Sequence, residues 1–149
     1  MASTITAATL TATISEQITL NGQTINSENQ LVISSINEYA KRIVTIPTSE
    51  VTVVSFSTAV AAGTFISGDL QYFRVTNKDT VNYCRIRVKK NGADTFDVKL
   101  DAGKSFIMGN TKESVSATAV AFSTFADADS ISAQAYTAAV DVEFVVASI

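Results

Sequence analysis

Over most of its length this chain alternates polar and apolar residues with a period of two. Runs such as VTVVSFS, TFDVKL and VDVEFVVAS set a Thr, Ser, Asp or Lys between Val, Ile or Phe at every second position. Successive side chains of an extended strand point to opposite faces, so this is the pattern of strands with one face in a core and one in water. One proline, Pro47, and six glycines punctuate the chain, most glycines falling between the alternating runs as turn residues do. The pattern predicts an all-β fold. The expected architecture is a single-domain antiparallel β-sandwich over residues 1–149, jelly-roll-like or barrel-like, of about eight strands. Residues 1–16 are expected to be an extended N-terminal arm or an edge strand.

The chain's 149 residues suit one domain with a real core. With 46% hydrophobic and 17% charged residues it lacks the composition of intrinsic disorder, and no apolar run approaches the ~18 residues of a spanning helix, so no membrane partner is expected. A net charge of −3 disfavours a nucleic-acid partner, whose binding draws on counterion release by clustered cations. The opening MASTITAATLTATIS has neither the basic nor the continuous apolar region of a signal peptide.

Strands are expected near Thr4 to Leu20, with a break, and again from Thr24. A two-residue turn at Asn21-Gly22 would set Ile18 opposite Ile25 and Thr19 opposite Thr24. Residues 27–46 are open to two readings. Ser27 and Gln30 have capping-box spacing and Val32, Ile36, Tyr39 and Ile43 could line a helix. The β-branched content of LVISSI and RIVTIP favours two strands, joined by a turn at Asn37-Glu38. Further strands follow at EVTVVSFS, LQYFRVTN, NYCRIRVKK, TFDVKL, KSFIMGN and VDVEFVVAS, the last a core strand with Val140, Val142, Phe144 and Val146 on one side.

The stretch NYCRIRVKKNGADTFDVKL concentrates five Lys or Arg residues around an Asn-Gly. A two-residue loop would set Ile86 across from Asp97, mixing core with solvent. A three-residue loop, Lys90-Asn91-Gly92, restores the parity and pairs Ile86 with Phe96, Cys84 with Val98 and Arg85 with Asp97. Arg87, Lys89 and Lys99 then form a basic outer face, solvated or meeting an acidic protein neighbour, without the interleaved aromatic residues of a nucleic-acid groove.

There is no histidine, which removes the commonest general base and metal ligand. Cys84 lies on an apolar strand face, as an inert core thiol does. Asp127 and Asp129 resemble the start of a calcium loop, but no glycine turn or later Glu completes one. AAGTFISG lacks the lysine and spacing of a phosphate loop, and Lys41-Arg42 reads as charge protecting a strand edge. No catalytic residue, metal ligand or cofactor is expected, and the chain is not read as an enzyme.

The run from LQYFRVTNKDTVNYCRIRV through TFDVKLDAGKSFIMGN to VDVEFVVAS resembles the small all-β virion proteins of tailed bacteriophages. It carries an Asn-x-Asp turn at Asn77 to Asp79 and an acidic-x-Gly turn at Asp101 to Gly103, and the ISEQITLNGQ segment is similar to the opening of such proteins. The resemblance implies a non-enzymatic structural protein of the virion, assembled in the host cytoplasm. A capsid decoration or cement protein is expected first. A tail, neck or fibre component, tail-tube subunit included, is the alternative, and a carbohydrate-binding module relying on Tyr39, Tyr72, Tyr83 or Tyr136 a further one. The implied partners are other virion proteins, above all the major capsid protein, and further copies of the chain, a trimer being favoured. Ile5, Leu10 and Ile14 of the N-terminal run, which could add a strand to a neighbour, and Arg87 and Lys89 of the basic face are the expected interface residues.

Overall fold

The computed structural model of the chain describes residues 5–59, 61, 63–90, 94–109, 114–115 and 126–149. Among these, eleven strands form three sheets, and a two-residue ladder joins Ser114–Val115 to Ala126–Asp127. The expected all-β class holds, residues 27–46 included, which contain no helix. The strand count of eleven corrects the expected eight, and no sheet closes into a barrel among the described residues. The chain divides into two compact units, Met1–Asn37 and Glu38–Ile149.

The first unit is one long antiparallel ribbon of β1 (Ala8–Leu20) and β2 (Gln23–Ile36). Its turn has φ of 50° at Asn21 and 80° at Gly22, the mirror-image geometry whose twist matches the strands it joins and which Asn-Gly adopts at little cost. Ile18 pairs with Ile25 and Thr19 with Thr24, as the sequence predicts. Two expectations fail here. β1 runs unbroken to Leu20, and LVISSI is the far half of β2 rather than one arm of a hairpin with RIVTIP. Asn37-Glu38 is therefore no hairpin turn: Asn37 alone separates β2, paired to β1, from a strand that pairs elsewhere. The ribbon's regular ladder ends at a bulge, where Ala8↔Ile36 follows Leu10↔Ile33 and the extra residue leaves Ser35 at φ 64°.

The second unit is sandwich-like. One sheet takes the order β5-β4-β12-β7-β8 and the other β3-β13-β6-β9. The strands are β3 (Glu38–Ile46), β4 (Val51–Ser57), β5 (Phe65–Ile66), β6 (Leu70–Asn77), β7 (Cys84–Lys90), β8 (Asp94–Leu100) and β9 (Ser105–Gly109). With the short ladder numbered β10 and β11, β12 (Ser130–Ala135) and β13 (Val140–Ser148) complete the chain. All pairings are antiparallel except β4 with β5. The excess over eight strands arises from the ribbon's two and the two-residue β5, since the sandwich's longer strands number eight.

Alternate residues of both sheets meet in one core. Val54, Phe56, Cys84, Ile86, Val88, Ile131 and Ala133 from the first sheet pack with Ile46, Phe73, Val75, Val140, Val142, Phe144 and Val146 from the second. The last four are the side of β13 that the alternation identifies. β13 and β6, both flanked on both edges in their sheet, are the most buried of the longer strands.

Buried Asn77 ties two turns to this core. Its Nδ2 donates to the carbonyls of Asn82 (2.8 Å) and Leu100 (3.2 Å), and its Oδ1 accepts from the amide of Asp79 (2.9 Å). Asp79 Oδ1 in turn accepts from the amides of Val81 and Asn82, both at 2.7 Å. The Asn-x-Asp turn thus satisfies every polar atom of a side chain that would otherwise be costly to bury.

Candidate interaction surfaces

The ribbon's register sorts its side chains onto two unlike faces. Leu10, Ala12, Ile14, Ile18, Leu20, Ile25, Leu31 and Ile33 share one, interrupted by Glu16, Gln23, Ser27 and Asn29. The other carries Thr11, Thr13, Ser15, Gln17 and Thr19 against Val32, Gln30, Glu28, Asn26 and Thr24. Gln17 Nε2 donates to Asn26 Oδ1 across it (3.2 Å), and the hydroxyls of Thr19 and Thr24 lie 3.0 Å apart. On the apolar face Ile33 is buried and Leu10, Ala12 and Leu31 are half-buried, whereas Ile14, Ile18, Leu20 and Ile25 are 47 to 62% exposed. Burying a large apolar side chain from full exposure contributes about 1.5–3 kcal/mol, so covering what remains of these half-exposed ones contributes roughly half of that each, and four of them on one face are a reservoir for association.

The ribbon's edges are as unusual as its face. Neither strand pairs with a third among the described residues. A two-stranded hairpin is marginally stable alone, and long open edges are normally blunted with Lys or Pro. Residues 1–37 contain no Lys, Arg or Pro, and Glu16 and Glu28 are their only charges. Of the interface residues expected from sequence, Leu10 and Ile14 lie on this face, and Ile5, 69% exposed, precedes β1. Pairing over Ala8–Glu16 makes that part of the expected arm half of a hairpin.

The basic face of the sandwich has a different character. β7 and β8 are joined through residues 91–93, and Lys90 pairs with Asp94, Val88 with Phe96 and Ile86 with Val98. The predicted three-residue loop Lys90-Asn91-Gly92 is thus displaced by one residue and the register by two. Both registers keep the apolar faces together, so alternation does not choose between them. The observed one places Arg87, not Arg85, opposite Asp97. The Arg87 guanidinium holds that carboxylate through Nε–Oδ1 at 2.6 Å and Nη2–Oδ2 at 2.7 Å, a two-pronged contact that adds geometry to charge.

Glu50, just ahead of β4, is the residue the sequence conceals. Its carboxylate meets Arg85 at 2.7 Å, Arg87 at 3.0 Å and Lys89, and accepts from Ser132 Oγ at 2.8 Å. The Lys89 hydrogen bond, with that of Ser132, holds its carboxyl below the usual range, and the Arg87 bond does the same for Asp97. Arg85 also donates to Gln134 Oε1 (2.5 Å), whose amide nitrogen reaches the Thr48 carbonyl. Arg87 and Lys89 are therefore half-buried members of a network rather than a solvated face. Lys99 pairs with Asp101 at 2.8 Å and stands 4.4 Å from the centre of the Tyr83 ring. No signal within 82–100 could have announced Glu50, because strand order alone brings it there.

Tyr83 and Tyr136 stack with ring centres 4.7 Å apart beside a cleft of about 410 Å³ lined also by Arg85, Gln134 and Ala135. Tyr39 is exposed on the edge strand β3, and Tyr72 is buried. Lys41 on that edge pairs with Glu143 at 3.4 Å, and Glu143 also binds Arg74 at 2.6 Å. Cys84 is buried, and burial pushes its thiol up to about 11. Among the described residues no cluster of three or more Cys, Asp or Glu side chains could hold a metal ion.

No family model, curated protein or solved structure matches this chain significantly.

Proposed function

We propose that this chain is a non-enzymatic structural subunit of a bacteriophage virion that acts through protein–protein contacts. The observation that carries the reading is the ribbon: an amphipathic hairpin with four large apolar side chains exposed on one face and, among the described residues, two open edges bare of Lys and Pro. Such a surface is one that a partner completes. Pairing of Arg85, Arg87 and Lys89 with Glu50 and Asp97, which offsets most of their charge, further supports a protein partner over nucleic acid.

Within the particle, a capsid decoration protein held on the major capsid protein is the first assignment, and the sandwich-like unit is the body it would seat there. The ribbon favours a tail component as the second, because open strand edges suit subunits that repeat side by side. Antibodies raised against the full chain and imaged on purified particles by negative-stain electron microscopy separate these. Label over the head supports decoration and label along the tail supports the second assignment. Particles that carry neither label nor the protein overturn the virion reading.

The Tyr83–Tyr136 stack, with Tyr136 65% exposed beside Arg85 and Gln134, favours one further reading, a carbohydrate-binding surface. A reproducible glycan-array signal that is lost in Tyr136→Ala would establish it.

A further inference from the structure

We propose that the β1 edge of one copy pairs antiparallel with the β2 edge of a second copy, so that successive ribbons join side by side into one larger sheet. This deepens the assembly reading and rests on it.

Both edges are built for it. In a hairpin with a two-residue turn the pair flanking the turn is hydrogen-bonded and the pattern then alternates. Leu20↔Gln23 and Ile18↔Ile25 thus bond inward, while Thr11, Thr13, Ser15, Gln17 and Thr19 on β1, and Thr24, Asn26, Glu28, Gln30 and Val32 on β2, direct their backbone groups outward. The two rows are of equal length and run in opposite directions, so they complement each other. β1 against β1 would also satisfy backbone groups, but only by turning one ribbon end for end.

Charge and face point the same way. When ribbons stand level, β1 of one copy meets β2 of the next in the register already seen within the hairpin. Glu16 then has Ser27 on both sides and Glu28 has Ser15 on both sides, so no carboxylate adjoins another across the new seam. Ile18 and Ile25 alternate along one row of the apolar face, each covering part of the next. Any sliding by two residues keeps the apolar faces together, and sliding by one sets apolar against polar.

The chain suits a cysteine test, since its single native thiol, Cys84, is buried. Glu16→Cys is made in one chain, and Ser27→Cys, Ile25→Cys and Asn29→Cys in separate others, which covers the level register and a two-residue slide either way. Each is oxidised alone and then mixed with Glu16→Cys. The proposal expects a covalent dimer in at least one mixture and its absence from the corresponding single variants. A Glu16→Cys homodimer as the only product would overturn it in favour of β1 against β1. Absence of every cross-link while light scattering still reports oligomers would overturn it and leave assembly through another surface. Absence of cross-links from a monomeric protein that is also missing from particles would remove both the inference and the reading beneath it.

Discussion

Arg87 and Asp97 face each other across β7 and β8 with two parallel contacts of 2.6 and 2.7 Å, and this pair accompanies the register of the basic hairpin. Asp97 is 38% exposed at its side chain, so solvent screens much of the attraction. Asp97→Asn is expected to cost only about 0.5–1 kcal/mol in urea unfolding. Glu50→Gln should cost more, because it leaves Arg85, Arg87 and Lys89 facing one another with one fewer anion. Equal losses for the two variants would show that Glu50 is not the centre of the network.

Asn77→Ala removes an amide that serves Asn82, Leu100 and Asp79 at once. Leaving buried partners unsatisfied is expected to destabilise by roughly 2–4 kcal/mol, read as a lowered midpoint in urea with the slope unchanged. A change below about 0.5 kcal/mol would mean that water replaces the side chain there.

Much of this fold is legible in the sequence, and the failures share a cause. Alternation names the buried side of β7 and β13, and Asn21-Gly22 fixes the ribbon's register, because these are local consequences of side-chain direction and turn geometry. Alternation is blind to shifts of two residues, which is why the β7–β8 register was displaced. It is equally blind to partners far apart in sequence. Glu50 reaches Ser132 because β4 and β12 pair in the sheet, and β2 stays with β1 because the ladder continues past the polar SENQ, where apolar spacing gives no guide. Of the expected interface, Leu10 and Ile14 were identifiable as apolar members of an alternating run. That Ile14 would remain exposed was not, since exposure depends on what the ribbon lacks as a neighbour.

The pH dependence of stability follows from the carboxylates. Glu50, Asp79, Asp97 and Glu143 are each held below their usual range in the folded chain, respectively by Lys89, the backbone amides of Asn82 and Val81, Arg87 and Arg74. Their folded values lie under their unfolded ones, so the contribution is complete above about pH 4–5 and is lost as pH falls through the folded values. With no histidine present, the urea midpoint is expected to be nearly level between about pH 5 and 7 and to drop below about pH 4. A midpoint that rises on acidification below pH 4 would contradict this assignment of charges.

Cys84 should be silent in the native protein. Burial that raises its thiol to about 11 leaves almost no thiolate at neutral pH, and the core shields the sulfur. An aromatic disulfide reagent is expected to release no colour from folded protein and one equivalent in denaturant, in keeping with the single cysteine. Rapid native labelling would place the sulfur at an accessible surface and contradict the packing of β7.

The absolute mass of the full chain, measured by light scattering over about a hundredfold range of concentration, reports directly whether ribbons pair edge to edge. Ser15 lies on the β1 edge with its amide directed outward, so Ser15→Pro removes an edge donor while leaving the hairpin's own ladder in place. Edge-to-edge pairing predicts a mass that grows with concentration for the unsubstituted chain and stays at the 15.8 kDa monomer for Ser15→Pro with the same circular dichroism. Growth that is identical in both proteins would contradict it, as would a monomer in both.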